Sequence, residues 1–321
     1  MRTLARQVHA HLKQTAKAVV IPHPHPDGDA LGAATALFEY LTGLGRPTAI
    51  YCATPHSPQL KFLPHSERLE TNPGLLADPA VDTVILVDSG DLRYAGVAEL
   101  LVKHPAKIIN IDHHATNEHF GHFNLVNPAA ASTTEILFHY FRANQVHLSH
   151  RMATALLTGL TTDTGNFTNA ATSATALAVG GELIRAGADL RQITRATIHN
   201  KTVGALKLWG QALSRLERDE RRELAYTYLT RADLSAAGVS EAEAEGIANF
   251  LNNLANAKIA LVLKETADGK IKGSFRTTRD DTDVAALARQ LGGGGHKKAA
   301  GFSATGSIPE VLNKILTGIK E

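Results

Sequence analysis

The chain of 321 residues contains one cysteine, Cys52, so an intramolecular disulfide is excluded, which fits a reducing compartment. It also lacks an excess of charge of either sign: 33 basic against 31 acidic residues leave a formal charge of +2. That excludes the broad basic field a long polyanion requires, but allows a short anionic substrate in one pocket. No stretch approaches the roughly 18 uninterrupted apolar residues of a membrane helix. The opening MRTLARQVHAHLKQTAKAVVIP has neither the apolar core nor the small-residue cleavage pattern of a signal peptide; Leu4, Val8 and Leu12 trace one helical stripe instead. These absences predict a cytoplasmic protein with no membrane partner. Internal repeats and low-complexity segments are missing as well. With 44% hydrophobic and 20% charged residues, the composition is that of an ordinary globular chain, long enough for two domains.

Three short β-branched runs stand out in the first half: AVVIP (18–22), TVILVD (83–88) and KIINID (107–112). They are too short for helices and apolar at nearly every position, as expected of strands buried on both faces. Helical patterns lie at 29–45, 133–144 and 152–163, and this alternation predicts an α/β fold with a mainly parallel sheet and helices on both faces. Residues 195–219 read as one long connecting helix. Beyond it RELAYTYLT, KIALVLKET and KIKGSFRTT read as an antiparallel set, with ADGK (267–270) as a hairpin turn. Residues 240–257 and 283–291 read as helices, the second opening on Asp283 as N-cap. The expected organisation is a catalytic domain over 1–190, a helical linker over 191–217 and a smaller mixed α/β domain over 218–321.

Chemistry gathers where the buried runs stop. They lead into PHPHPDGD, VDSGD and IDHH, and a fourth aspartate closes an apolar helical segment in TTDTGNF (161–167). Ligands of open parallel sheets bind outside the carboxyl ends of the strands, so these groups are expected at one place. Each motif alone has a bland explanation: an aspartate after a strand is commonly a helix N-cap, and His25 between two prolines reads as a solvent-facing loop residue. Together they point to metal. Asp27, Asp29, Asp88 and Asp163 would repel one another and take up protons if left alone. Two divalent cations balance their four charges, with His23 and His113 as nitrogen donors of a kind manganese tolerates. Oxygen and nitrogen ligation without thiolate argues against a structural zinc site. Near the end of the chain, the glycines at 292–295, Gly293, Gly294 and Gly295 among them, let backbone N–H groups approach an anion. The run lacks the GxxxxGK[ST] pattern of a nucleotide-triphosphatase loop. His296 can stack on a base or bond a phosphate, and Arg276 can fork onto phosphate oxygens.

The ordered set His23-x-x-Pro-Asp27-Gly-Asp29, Asp88 in VDSGD, Asp112-His113-His114, Asp163 in TTDTGNF and the tail GGGGHKKAAGF resembles the DHH/DHHA1 phosphoesterases over nearly the whole chain. Length, two-domain arrangement and glycine-rich tail resemble the nanoRNase/pAp phosphatase branch. That branch degrades very short RNA and removes the 3′-phosphate of 3′-phosphoadenosine 5′-phosphate (pAp). The resemblance implies two Mn²⁺, or Mg²⁺ or Co²⁺ in their place. One metal would sit on His23, Asp27 and Asp88, the other on Asp29, Asp88, His113 and Asp163, with Asp88 bridging. It also implies that Asp112 orients an imidazole, that His114 faces the scissile phosphate, and that Arg93 contacts phosphate. Substrates would be short RNA oligonucleotides or small phosphorylated nucleotides, not a long duplex, gripped by the small domain in a closing cleft; a homodimer is compatible. Lys297 stands where the family commonly has proline, which adds charge near the binding face. A manganese inorganic pyrophosphatase, a RecJ-like exonuclease, a cyclic-dinucleotide phosphodiesterase and a catalytically silent nucleotide-binding module are the alternatives. The GGGGH tail speaks against the first, and the lack of an additional nucleic-acid module against the second.

Overall fold

A computed structural model describes residues 2–241 and 243–318, with the backbone alone at His296. The chain divides into two units, residues 1–200 and 201–321.

In the first unit the elements run α1 (Arg2–Leu12), β1 (Ala18–Pro22), α2 (Gly28–Gly43), β2 (Thr48–Tyr51), β3 (Leu69–Glu70), β4 (Thr83–Val87), α3 (Ala98–Leu101), β5 (Lys107–Asp112), β6 (Phe123–Val126), α4 (Thr133–Ala143), α5 (His150–Asp163), α6 (Ala174–Arg185) and α7 (Leu190–Thr197). The six strands form one sheet in the order β3-β2-β1-β4-β5-β6, and every pairing is parallel. The all-apolar runs are explained by two cores. Val20 of β1, Ile85 and Val87 of β4, and Ile109 and Ile111 of β5 face a core shared with α1, α2, α4 and α5. Their neighbours Val19, Ile21, Val84, Leu86 and Ile108 face a second core with Leu76, Val97 and Leu101. A strand alternates its side chains between faces, so a strand covered on both sides must be apolar throughout. Because β1 pairs with β2 on one side and β4 on the other, the strand order reverses there. The crevice at the ends of β1 and β4 is thus the topological switch point, where open α/β sheets bind ligands.

The second unit contains α8 (Val203–Ser214), β7 (Glu217–Asp219), β8 (Leu224–Leu229), α9 (Arg231–Ala237), α10 (Ile247–Phe250), β9 (Ile259–Glu265), β10 (Ile271–Arg276), α11 (Val284–Gln290), β11 (Gly294–His296), β12 (Ala299–Ala304) and α12 (Ile308–Gly318). Its sheet has the order β11-β12-β10-β9-β8-β7. The ADGK hairpin joins antiparallel β9 and β10, with Gly269 at φ +77.

Three expectations are corrected here. Residues 195–219 are not one helix: the Asn200 amide donates to the Ala196 carbonyl (2.6 Å) and closes α7, and Thr202 caps α8 by accepting from the Ala205 N–H (3.1 Å). Among the described residues of 240–257, only Ile247–Phe250 is α-helical, followed by a short 3₁₀ turn at Leu251–Asn253. Gly246 at φ +99 breaks the pattern, and Glu243 accepts from the backbone N–H and hydroxyl of Ser240 in a turn. Finally, β8 and β9 pair in parallel, because the chain between them makes a helical crossover instead of a hairpin. Among the described residues no helix is long and apolar enough to cross a membrane.

Candidate metal centre and anion pocket

Four chain segments of the first unit meet at the sheet's carboxyl edge. His23 follows β1, Asp88 follows β4, Asp112 ends β5 with His113 and His114 behind it, and Asp163 ends α5. Asp27 and Asp29 open α2. Asp27 is indeed the N-cap, its Oδ1 accepting from the N–H groups of Asp29 (2.9 Å) and Ala30 (3.0 Å). It also belongs to the cluster, so capping and clustering are one placement seen twice. Three groups of donor atoms lie within 4.8 Å of one another: His23–Asp27–Asp88, Asp29–His113–Asp163 and Asp88–His113–His114. His25 is exposed, at φ +54, and belongs to none of them.

Asp88 stands at the centre. One oxygen, Oδ2, lies 3.6 Å from His23 Nε2, and the other, Oδ1, 3.5 Å from His113 Nε2. Its backbone is at φ +57, a conformation that side chains rarely adopt, kept in place as its N–H donates to the Ile111 carbonyl (3.0 Å). His23 is turned by its Nδ1, 2.9 Å from the Pro24 carbonyl, so that Nε2 faces the acids. His113 Nε2 lies 3.3 Å from Asp163 Oδ2.

Asp112 serves a different histidine. Its Oδ1 is 2.6 Å from His114 Nδ1 and accepts from the His113 N–H, while the Asn117 amide donates to Oδ2 (2.6 Å). Burial alone would lower the His114 imidazole, yet the Asp112 hydrogen bond and the charge of Asp88 raise it. For His23, burial is likewise outweighed by the hydrogen bond to Asp88 and the charges of Asp27 and Asp88, and its pKa rises to about 9.

The acids are the test of whether cations fit. Burial, then the charge of Asp88, pushes Asp29 up to about 7, and burial with Asp29 as neighbour pushes Asp163 well above the carboxylate range. Asp88 would be raised by burial, but its hydrogen bond to His23 and the nearby His113 and His114 hold it low. Donors around one divalent ion stand at most roughly 4.4 Å apart, and the His23–Asp27, His23–Asp88, His113–Asp88 and His113–Asp163 pairs, at 4.0, 3.6, 3.5 and 3.3 Å, already lie within that span. Buried carboxylates that repel, beside imidazoles turned inward, form a donor set for divalent cations.

Several contributors escaped the sequence reading. The first turn of α4 reaches two of the acids: the Thr133 and Thr134 N–H groups donate to Asp29 (2.6 and 3.0 Å), the Thr134 hydroxyl to Asp29 (2.7 Å), and the Thr133 hydroxyl to Asp88 (3.1 Å). A threonine pair behind a serine N-cap looks like an ordinary helix start. Tyr94, 52% exposed, stacks obliquely on His23 at 5.3 Å. Arg93 lies exposed on the same turn, its backbone N–H bonded to Asp91 Oδ1 (2.7 Å).

The second unit holds a cavity of about 340 Å³ lined by Gly294, Gly295, Gly301, Asn249, Lys264, Lys272 and Arg276. The Arg276 Nε donates to Asn249 Oδ1 (2.7 Å) and its Nη1 to the Phe275 carbonyl (2.9 Å). Lys264 and Lys272 were not singled out by the sequence; with Arg276 they outnumber the carboxylates among the described lining residues, where Glu245 stands. Gly293 does not line this cavity: a Cβ there would sit 2.1 Å from the Gly301 carbonyl, so its role is close packing. The side chain of His296 lies outside the described residues.

Comparison with known proteins agrees with both halves. The pattern of the DHH family, N-terminal domain, matches residues 17–160, and the DHHA1 domain matches residues 223–321. The chain belongs to the DHH/DHHA1 phosphoesterase family. It is 30% identical to the bifunctional oligoribonuclease and PAP phosphatase NrnA of Thermus thermophilus, over 94% of this chain and 89% of that one. It is 27% identical to the protein of the same name from Bacillus subtilis, over 88% and 87%. The crystal structure of an exopolyphosphatase-related protein from Bacteroides fragilis superposes with a TM-score of 0.92 at 24% identity, covering 99% of this chain and 96% of the other, a likeness of fold.

Proposed function

We propose that the protein is a two-metal phosphoesterase that hydrolyses very short RNA oligonucleotides and pAp to mononucleotides in the cytoplasm. The observation that carries the reading is Asp88, a buried carboxylate whose two oxygens face opposite histidines, each within a separate group of donors. His23, Asp27 and Asp88 would hold one divalent cation, and Asp29, Asp88, His113 and Asp163 the other; manganese suits the mixed oxygen and nitrogen set. When bound, such a pair lowers the pKa of water and neutralises charge on a phosphoryl group.

The chain's own residues supply the rest. Asp112, fixed by Asn117, holds the proton on His114 Nδ1 and so orients the ring, and His114 would give a proton to the leaving oxygen or a hydrogen bond to the phosphoryl oxygen. The raised pKa of His114 favours the protonated form this needs. The cation-lined cavity of the second unit suits the anionic remainder of a nucleotide, and its volume suits a mononucleotide-sized group, not a duplex. A formal charge of +2 agrees with so small a footprint.

The test incubates protein and Mn²⁺ with labelled dinucleotide RNA, a long RNA strand, pAp, a cyclic dinucleotide and pyrophosphate. Turnover concentrated on the dinucleotide and pAp is expected. Dominant hydrolysis of pyrophosphate, the cyclic dinucleotide or the long strand would replace this reading with the corresponding alternative, and no turnover with tight nucleotide binding would make the protein a sensor.

A further inference from the structure

The first turn of α4 is bonded to more acids than a helix start needs. Its own cap is present, since Ser132 Oγ accepts from the Glu135 N–H at 3.0 Å. The next two residues nevertheless direct their donors at side chains more than 40 positions away. Asp29 accepts three hydrogen bonds: the Thr133 N–H on Oδ2, and the Thr134 N–H and hydroxyl on Oδ1. The Thr133 hydroxyl turns the other way, to Asp88 Oδ1. Ser132 Oγ, 2.8 Å from Thr134 Oγ1, steadies the Thr134 hydroxyl. From the far side α5 presses in at Gly159, where a Cβ would lie 2.5 Å from Asp29 Oδ1 and from Thr134 Oγ1. Asp29 is therefore locked on both faces and has no exposed surface.

A carboxylate offers about four lone-pair directions. With three taken, Asp29 has one left, so it can reach a cation through one oxygen only and in one direction. Asp88 gives up a single direction to Thr133 and keeps both oxygens available to the two histidine-bearing groups.

We infer that Thr133 and Thr134 are positioning residues that set the two cation positions separately. Thr134 aims Asp29 at the position shared with His113 and Asp163, and Thr133 fixes the rotation of Asp88, on which both positions depend. The inference rests on the two-metal reading above. Partners that orient a ligand typically change metal affinity by about 10- to 100-fold when removed.

The experiment measures Mn²⁺ binding to the full chain by calorimetry, and the resulting spin coupling by electron paramagnetic resonance, without substrate. The unaltered protein is expected to take up two ions and to show a coupled pair. Thr134→Val, near-isosteric and still able to donate its N–H, should weaken one ion by about 10- to 100-fold and leave the other, so that an uncoupled Mn²⁺ signal replaces the coupled one. Thr134→Ser should restore the pair. Thr133→Val should weaken both ions. Circular dichroism of the metal-free variants checks folding, with Thr133→Ala or Thr134→Ala replacing the valine variant at the same position if it fails. Two ions bound by Thr134→Val with unchanged affinity, or weakening of both ions alike in a folded Thr134 variant, overturns the division of labour. Failure of the unaltered protein to bind Mn²⁺ overturns the two-metal reading itself, and this inference with it.

Discussion

The two units solve opposite electrostatic problems. The first gathers buried acids at the switch point of a parallel sheet, held by helix N–H groups, hydroxyls and an amide, and its charges are in deficit of cations. The second gathers Lys264, Lys272 and Arg276 around a glycine-rich strand, with Glu245 in the lining and Glu241 near Lys264 against them, and among the described lining residues its cavity is in deficit of anions. Divalent cations would answer the first deficit and an anionic group the second. The difference teaches how to separate chemistry from grip: changes in the first unit should strike turnover, changes in the second should strike affinity.

The largest effect should come from Asp88→Ala. Removing the carboxylate that serves both donor groups is expected to lower kcat by roughly 10³-fold, about 4 kcal/mol of lost transition-state stabilisation. Nucleotide binding, measured by calorimetry, should survive because the cationic cavity is untouched. Retained turnover would break the comparison at its strongest point.

The matching change in the second unit is Arg276→Ala. Its guanidinium is oriented by Asn249 and the Phe275 carbonyl. Loss of a charge-assisted hydrogen bond, worth about 1.5–3 kcal/mol, should raise KM by roughly 10- to 100-fold while kcat stays near its starting value. A fall in kcat at constant KM would mean that the second unit takes part in the chemistry.

The same contrast governs what could be read without a structure. In the first unit the central strands were legible because both faces are buried, which leaves no polar position to blur the pattern; β2, β3 and β6, short and partly exposed, carry no such signal. The acids were legible because strand ends deliver them to one edge. Thr133, Thr134 and Asn117 were not, since their partners lie in distant or looping segments and their residue types are common at caps and turns. In the second unit local pattern misled more often. Parallel pairing of β8 with β9 is a long-range event, and the 240–257 stretch has helical composition but is broken by a positive φ at Gly246. Lys264 follows the buried run of β9 and Lys272 lies near the start of β10, and only the sheet, which pairs them directly, brings them to one cavity.

The smallest predicted effect concerns pH and distinguishes the units by stability. In the metal-free first unit, the raised pKa of Asp29, about 7 against an ordinary 3.8, means that the folded state holds its proton more tightly than the unfolded chain. Its stabilising contribution is full below the ordinary value and is lost as pH rises through about 7. His23, raised to about 9 from 6.5, acts in the same direction: its contribution is full below 6.5 and lost through about 9. Asp88, held low, keeps its contribution throughout the neutral range. Metal-free stability should therefore fall between about pH 6 and about pH 8, while Mn²⁺, which competes with those protons, should bind more tightly over the same interval. The rise in the first unit's Tm on adding Mn²⁺ is expected to be larger near pH 8 by about 2–4 °C, equivalent to roughly 1 kcal/mol for a unit of 200 residues. Equal gains at both pH values, recorded by calorimetric melting with and without chelator, would show that the acids are already ionised in the absence of metal. The cations would then be filling a ready-made charge deficit without displacing protons, and the contrast between the two units would rest on geometry alone.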